Sequence, residues 1–367
     1  MLDYREAGGH GGDLQAVAIE FGVQPEDFCD FSSNINPLGP PPGLFKELQN
    51  NLLSDLCRYP VPQARVFRSA LAAFLEVPVE RLLIGNGANE LIHLLFLWAR
   101  PQRVIIPFPT FSEYERAAKL TGAEVRKFPL PLETTSLKTD KIKELLNWGD
   151  FLVFCNPNNP TGLFYAPEKI LEIIREAAKK GITVLVDESF FFFTGRSLKE
   201  ALLGRDYPNL WTVVSLTKLW ALPGLRLGFL AGPGEKIKML THWGDPWRVN
   251  ALAQRAGIFC LTQREYLNSS LEMIREEREY LLKNLREIKG LKVFPGEANY
   301  LLLKGEGENF SSTALFRFLA VRGILIRNAA NFSGLDQRFF RIAVRQREDN
   351  QRLLKELGNY FLPEGKG

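Results

Sequence analysis

Four short stretches of this 367-residue chain gather residue types that can do chemistry. Ser215-Leu216-Thr217-Lys218, with Arg226 eight residues further on, sets a primary amine beside two hydroxyls and a guanidinium. An amine can add to a carbonyl and carry a proton, while hydroxyls and a guanidinium can hold a phosphate. Val184-Leu185-Val186-Asp187-Glu188-Ser189-Phe190 is an apolar run ending in a carboxylate. In Asn156-Pro157-Asn158-Asn159-Pro160-Thr161-Gly162, two X-Pro steps stiffen a turn and can hold the Asn159 amide in one direction. Gly85-Asn86-Gly87-Ala88-Asn89-Glu90 leads straight into an apolar helical pattern; glycines admit a close approach, and a helix N-terminus offers N–H groups to an anion. Singly, each has an ordinary reading: a turn before a helix, a loop, a strand-end cap, a solvated lysine.

The elements that must position these residues follow from pattern. Apolar, β-rich runs at 103–107, 124–128, 151–155, 183–186, 212–215 and 227–231 alternate with helical stretches at 88–99, 111–121, 140–148 and 168–180. Gly149 and Gly181 read as C-terminal caps of the last two. The alternation predicts an α/β fold with a mostly parallel sheet covered by helices. After Gly232 the texture changes to a charged helical region over 251–288. Strands at 291–293, 300–303 and 339–344 and a helix at 312–322 predict a smaller α+β unit. The expected organisation is an N-terminal arm (1–40), a large domain (41–245) and a small C-terminal domain (246–367). In parallel sheets ligands bind beyond the carboxyl ends of the strands, where the chemical residues lie.

Composition narrows the function. A net charge of +4 without a basic run gives no nucleic-acid footprint. The cysteines Cys29, Cys57, Cys155 and Cys260 have no C-x-x-C spacing, so neither a zinc cluster nor a disulfide framework is expected. The start carries Asp3, Glu6 and glycines where a secretory signal would be basic and then apolar, and no run is long enough to span a membrane. A cytoplasmic protein is expected, acting on small molecules without metal. A nicotinamide dehydrogenase is disfavoured because Glu90 stands where the third Gly of the dinucleotide fingerprint would be.

Together, the phosphate cradle, amide, strand-end carboxylate, lysine and arginine match what pyridoxal 5′-phosphate requires: a Schiff-base lysine, an acid facing its ring nitrogen, and phosphate donors. The sequence resembles the fold-type I pyridoxal-phosphate enzymes of the class I/II aminotransferase family over nearly its whole length. The resemblance implies a Schiff base on Lys218 and pairing of Asp187 with the ring nitrogen. It also implies an Asn159 contact to the ring hydroxyl oxygen and a phosphate site from Gly87, Ala88, Asn89, Ser215, Thr217 and Arg226. Phe111 is the implied ring-stacking residue, with Tyr114 as runner-up. Tyr59 resembles the tyrosine lent across a homodimer to the neighbouring subunit's phosphate. One departure is Phe190, where family aminotransferases usually place a tyrosine whose hydroxyl touches the cofactor.

Within the family, Gly9-His10-Gly11-Gly12-Asp13, Asp30-Phe31-Ser32-Ser33-Asn34-Ile35-Asn36-Pro37-Leu38-Gly39, Pro109 to Tyr114, Asp187 to Phe190 and the run from Ile326 through Phe332 resemble the threonine-phosphate decarboxylases of cobalamin synthesis. These are near relatives of the histidinol-phosphate aminotransferases, the alternative reading. The resemblance implies a small phosphorylated amino acid as substrate. Arg341 would take its α-carboxylate and Arg327 its phosphate, with His10, Asn34, Gly39 and Asn159 completing the substrate site. His93 and His242 read as packing or surface residues.

Overall fold

The computed structural model describes residues 11–22 and 24–361. Its centre is a seven-stranded sheet in the order Leu82–Gly85, Gly228–Ala231, Leu210–Ser215, Thr183–Asp187, Phe151–Cys155, Arg103–Phe108, Glu124–Pro129. All neighbouring strands run parallel except Gly228–Ala231, which is antiparallel to both of its neighbours.

Period-two alternation explains how one sheet serves two cores. Val153 and Cys155 face a cluster with Leu91, Tyr114 and Ile237, from the helices Ala88–Ala99, Glu113–Leu120 and Gly234–Thr241. Leu152 and Phe154 face a second cluster with Ile142 and Ile170, from Thr139–Leu145 and Pro167–Lys179. Phe151–Cys155 and Leu210–Ser215 are therefore buried along their whole length, as a covered sheet demands.

Several expectations are corrected. Leu82–Gly85 is a further strand; at four residues it is too short to show a period. Gly149 is not a cap, since its helix already ends at Leu145; a Cβ there would lie 2.5 Å from Ile105 Cδ1, so close packing is what it serves. Gly181, at φ +69, does close the Pro167–Lys179 helix, and the following N–H of Ile182 donates back to Ala177 O at 2.9 Å. The charged region after residue 250 is two helices, Ala251–Leu261 and Arg264–Leu285. Leu44–Cys57, Arg65–Leu75 and Arg347–Phe361 are helices the pattern had not disclosed.

The C-terminal part holds a four-stranded antiparallel sheet in the order Arg327–Asn328, Phe339–Ala343, Tyr300–Gly305, Leu291–Val293. The N-terminal segment joins this part, because Cys29–Asp30 pairs in parallel with Ile324–Leu325. It then crosses to the large sheet, where the Asn36 N–H donates to Lys218 O at 3.0 Å. No helix among the described residues is long and apolar enough to cross a membrane, and those residues contain no cluster of metal-ligating side chains.

Candidate active site

Three parallel strands end side by side and deliver the chemistry. Cys155 and Asp187 are register partners, and Leu210–Ser215 lies next to Thr183–Asp187. The turn after Ser215 brings Lys218 to the same edge. Lys218 is half-buried, with its ammonium 5.2 Å from the centre of the Phe190 ring. Burial is the main influence pulling its pKa below the ordinary lysine value; Asp187 opposes, while Arg226 and Arg341 reinforce the shift. An amine so placed is more readily neutral, and hence more nucleophilic, than a surface lysine.

Asp187 is 5% exposed, and both of its carboxylate oxygens have donors: the Ser189 N–H at 2.8 Å to Oδ1 and the Tyr114 hydroxyl at 2.8 Å to Oδ2. This corrects the runner-up reading of Tyr114 as a stacking residue, since its ring is fully buried with the hydroxyl on Asp187. Phe111 packs edge-on against it at 5.6 Å and remains half-buried, placing its ring nearer the cleft. On the adjacent loop, Asn159 Oδ1 accepts from Arg341 Nη1 at 2.6 Å, which turns the two N–H donors of that amide the opposite way.

The phosphate cradle assembles from four elements. Gly87 adopts φ +84, ψ 163 ahead of the Ala88–Ala99 helix, and a Cβ there would lie 2.7 Å from Arg226 Nη2. At Gly228 a Cβ would be 2.7 Å from the Ala88 nitrogen, so two glycines let the guanidinium, the helix N-terminus and the sheet converge. Ser215 Oγ and Thr217 Oγ1 lie 2.8 Å apart. Asn89 and Arg226 line a cavity of ≈ 440 Å³ together with Asn86, Glu90 and His93. His93 is half-buried at the edge of this cavity, as a packing or surface residue would be, with its Nε2 3.3 Å from Glu113 Oε2.

Two arginines form the remaining wall. Arg327 and Arg341 are register partners across antiparallel strands, 5% and 6% exposed. Arg327 donates to Asn328 O and Asn331 Oδ1, and Arg341 to Asn159 Oδ1 and Ser32 O. Burial, reinforced by the Arg327 charge, pushes the Arg341 pKa down to about 10. The Asn34 side chain is buried nearby in sequence to Ser32, and its backbone carbonyl accepts from Asn299. Gly39 instead turns its carbonyl to the Tyr266 hydroxyl. Tyr59 is not brought to this group: it is 83% exposed and packs on Trp247. His10 lies outside the described residues.

These residues fit pyridoxal 5′-phosphate. Among the described residues, the buried Asn34 Oδ1, Asn89 Oδ1 and Arg341 Nε have no hydrogen-bond partner, and buried polar atoms are normally satisfied. The donor set is an amine, paired hydroxyls, a guanidinium and helix N–H groups, with the Asp187 carboxylate at the adjacent strand end. Sequence reasoning missed two contributors. Asn36 grips the Lys218 turn through Lys218 O and Leu219 O, and nothing in its local sequence signals a partner 183 residues away. The Tyr114 hydroxyl was foreseeable in kind, because a buried tyrosine needs an acceptor.

The family model Aminotransferase class I and II matches residues 26–357. A threonine-phosphate decarboxylase from Salmonella typhimurium is 38% identical over 354 residues, covering 95% of this chain and 96% of the relative. Among solved structures, a histidinol-phosphate aminotransferase from Clostridium acetobutylicum superposes with TM-score 0.82 at 31% identity, covering 90% of this chain and 98% of that one. An L-threonine-O-3-phosphate decarboxylase from Porphyromonas gingivalis does so with TM-score 0.80 at 27% identity and the same coverage of each chain.

Proposed function

Because the chain belongs to the class I and II aminotransferase family of pyridoxal 5′-phosphate enzymes, we propose that it decarboxylates L-threonine O-3-phosphate. The products are (R)-1-aminopropan-2-yl phosphate and carbon dioxide, the former serving as the aminopropanol linker of cobalamin. The observation that carries this reading is the facing pair Arg327 and Arg341. Like charges opposite one another on a sheet are unfavourable, and burial raises the cost. A substrate bearing a carboxylate and a phosphate on one small frame would give each guanidinium an anion to bind.

When bound, the cofactor supplies an aldehyde for the Lys218 amine and a ring that draws electrons from the substrate Cα. The protein's own groups do the rest. Asp187 holds a proton on the ring nitrogen. Ser215, Thr217, Arg226 and the N–H groups at Ala88 and Asn89 would hold the cofactor phosphate, and Phe111 would be the residue to stack on its ring. Arg341 would bind the substrate carboxylate, and Arg327, with Asn34 and His10, its phosphate; two such anchors would orient the bonds at Cα. The Lys218 amine would be the group that carries a proton to Cα. Phe190 presents a bare ring where a tyrosine would add a hydroxyl beside Lys218, which favours decarboxylation over amino-group transfer.

The site is completed by a second copy of the chain. Phe45, Leu52, Leu53 and Leu56 are exposed on the helix Leu44–Cys57, close in sequence to the exposed Tyr59. A homodimer covers this face and delivers Tyr59 to the partner's phosphate site.

Incubating the purified, cofactor-loaded protein with threonine phosphate should release carbon dioxide and aminopropanol phosphate in equal amounts. The second reading, histidinol-phosphate aminotransferase, is favoured by the higher identity and TM-score of the Clostridium acetobutylicum structure. No carbon dioxide, together with turnover of histidinol phosphate and 2-oxoglutarate, would replace the first reading with it.

A further inference from the structure

We propose that Tyr114 is a positioning residue, its hydroxyl fixing the Asp187 carboxylate in the orientation that pairs with the cofactor ring nitrogen. The inference rests on the reading of Asp187 given above. Tyr114 comes from a different element, the helix Glu113–Leu120, and reaches Asp187 Oδ2 at 2.8 Å while the Ser189 N–H holds Oδ1 at 2.8 Å. With one donor on each oxygen, rotation of the carboxylate about its Cβ–Cγ bond breaks at least one hydrogen bond.

The groups around this contact show what the hydroxyl is for. A buried carboxylate stays ionised only with donors or a cation nearby. Cys155, on the adjacent strand, is Asp187's register partner and also touches the Tyr114 hydroxyl; burial pushes its thiol pKa up, so it stays neutral. Burial, Asp187 and Cys155 likewise push the phenol of Tyr114 well above 10, so it remains a donor. Lys218 feels the Asp187 charge from the cleft, and Glu188 feels it from the other side while accepting the Leu202 and Leu203 N–H groups. Tyr114 is thus a neutral donor that can steady Asp187 without competing with the ring nitrogen for its charge.

Removing the hydroxyl takes the donor from Asp187 Oδ2 and leaves the carboxylate free to turn away from the ring nitrogen. The ring nitrogen then holds its proton less well, the ring withdraws less, and the Schiff-base nitrogen on Lys218 becomes more basic. For Tyr114→Phe the expected results are a pH midpoint of the visible absorbance band raised by about one unit and a cofactor Kd raised about tenfold, equivalent to about 1.4 kcal/mol. The kcat should fall about tenfold with KM within about twofold of wild type, because substrate anchors are untouched.

Site-specific 3-fluorotyrosine at position 114 keeps the ring and strengthens the donor, so it should move the midpoint the opposite way. It also decides the matter if Tyr114→Phe folds poorly. Asp187→Asn separates the two layers of argument. If wild-type protein binds no pyridoxal phosphate, or if Asp187→Asn changes neither Kd nor midpoint, the reading of Asp187 fails. If Asp187→Asn changes both while the midpoint stays at the wild-type value with fluorotyrosine at 114 and with every folded Tyr114→Phe sample, the role of Tyr114 is overturned and the reading of Asp187 stands.

Discussion

Gly87→Ala tests the cofactor cradle, and its effect can be divided into two parts from the structure. The first is backbone strain. At φ +84, ψ 163 the residue occupies a region that is nearly glycine-only, and an L residue there costs about 1–3 kcal/mol. The second is collision. The new Cβ would stand 2.7 Å from Arg226 Nη2 and 3.3 Å from its Cζ. These are the far atoms of a flexible side chain, so Arg226 withdraws from the cradle rather than the helix moving. Losing its charge-assisted bond to the cofactor phosphate costs about 1.5–3 kcal/mol, or roughly 10- to 150-fold in Kd. Titration of apo-protein with pyridoxal phosphate reads the second part, and the melting temperature of apo-protein reads the first. The two separate in a double-mutant cycle with Arg226→Met, where the Cβ meets no guanidinium. In that background Gly87→Ala should still lower the melting temperature yet leave Kd within about twofold. An equal loss of affinity in both backgrounds would refute the argument that Gly87 acts by admitting Arg226.

Two further outcomes follow. The Lys218 amine should titrate in apo-protein below the ordinary lysine value of 10.5, because burial disfavours the ammonium more than Asp187 supports it. Isotope-labelled lysine followed by NMR against pH measures this, and a midpoint at or above that value contradicts the burial argument. Leu53→Glu should convert the dimer to monomer, because Leu53 is exposed on the chain and, in a twofold interface, each substitution occurs twice. Forfeiting two buried leucines costs about 3–6 kcal/mol per dimer before the cost of the added charges. Sedimentation should show monomer with activity lost; a fully active monomer would remove Tyr59 from the site.

What the sequence made legible was whatever is encoded locally. Phe151–Cys155 and Thr183–Asp187 stood out because strands covered on both faces are written as continuous apolar runs, and their polar last residues mark the ligand edge. Lys218 and Asp187 were found by that rule, and resemblance gave them roles. The reversed direction of Gly228–Ala231 was not legible, since strand polarity depends on where the chain returns. Gly149 was misread because a glycine after a helix has two uses, and only Ile105 beside it shows which applies. The partner of Tyr114 lies 73 residues on, so the helix pattern revealed that the side chain is buried and not what its hydroxyl meets. For Tyr59 the resemblance pointed across a subunit boundary, consistent with its exposure here.

The charges explain why such a site is built at the expense of the fold. Arg341 donates to the neutral oxygens of Asn159 and Ser32 and faces Arg327 across the sheet; burial and the Arg327 charge lower its pKa, while Tyr300 and Asp30 oppose. Lys218 is depressed for the same reason, with Arg226 adding to it. A protein selected only for stability would replace the buried arginines with apolar side chains of similar volume. Retaining them leaves Arg341 exposed to the charge of Arg327 and Lys218 to those of Arg226 and Arg341, opposed at Lys218 by Asp187 and at Arg341 by Asp30. In the proposed reading, the cofactor phosphate at the helix N-terminus and the substrate carboxylate at Arg341 each bring an anion to a cation that burial disfavours, so a substrate lacking the carboxylate should bind less tightly.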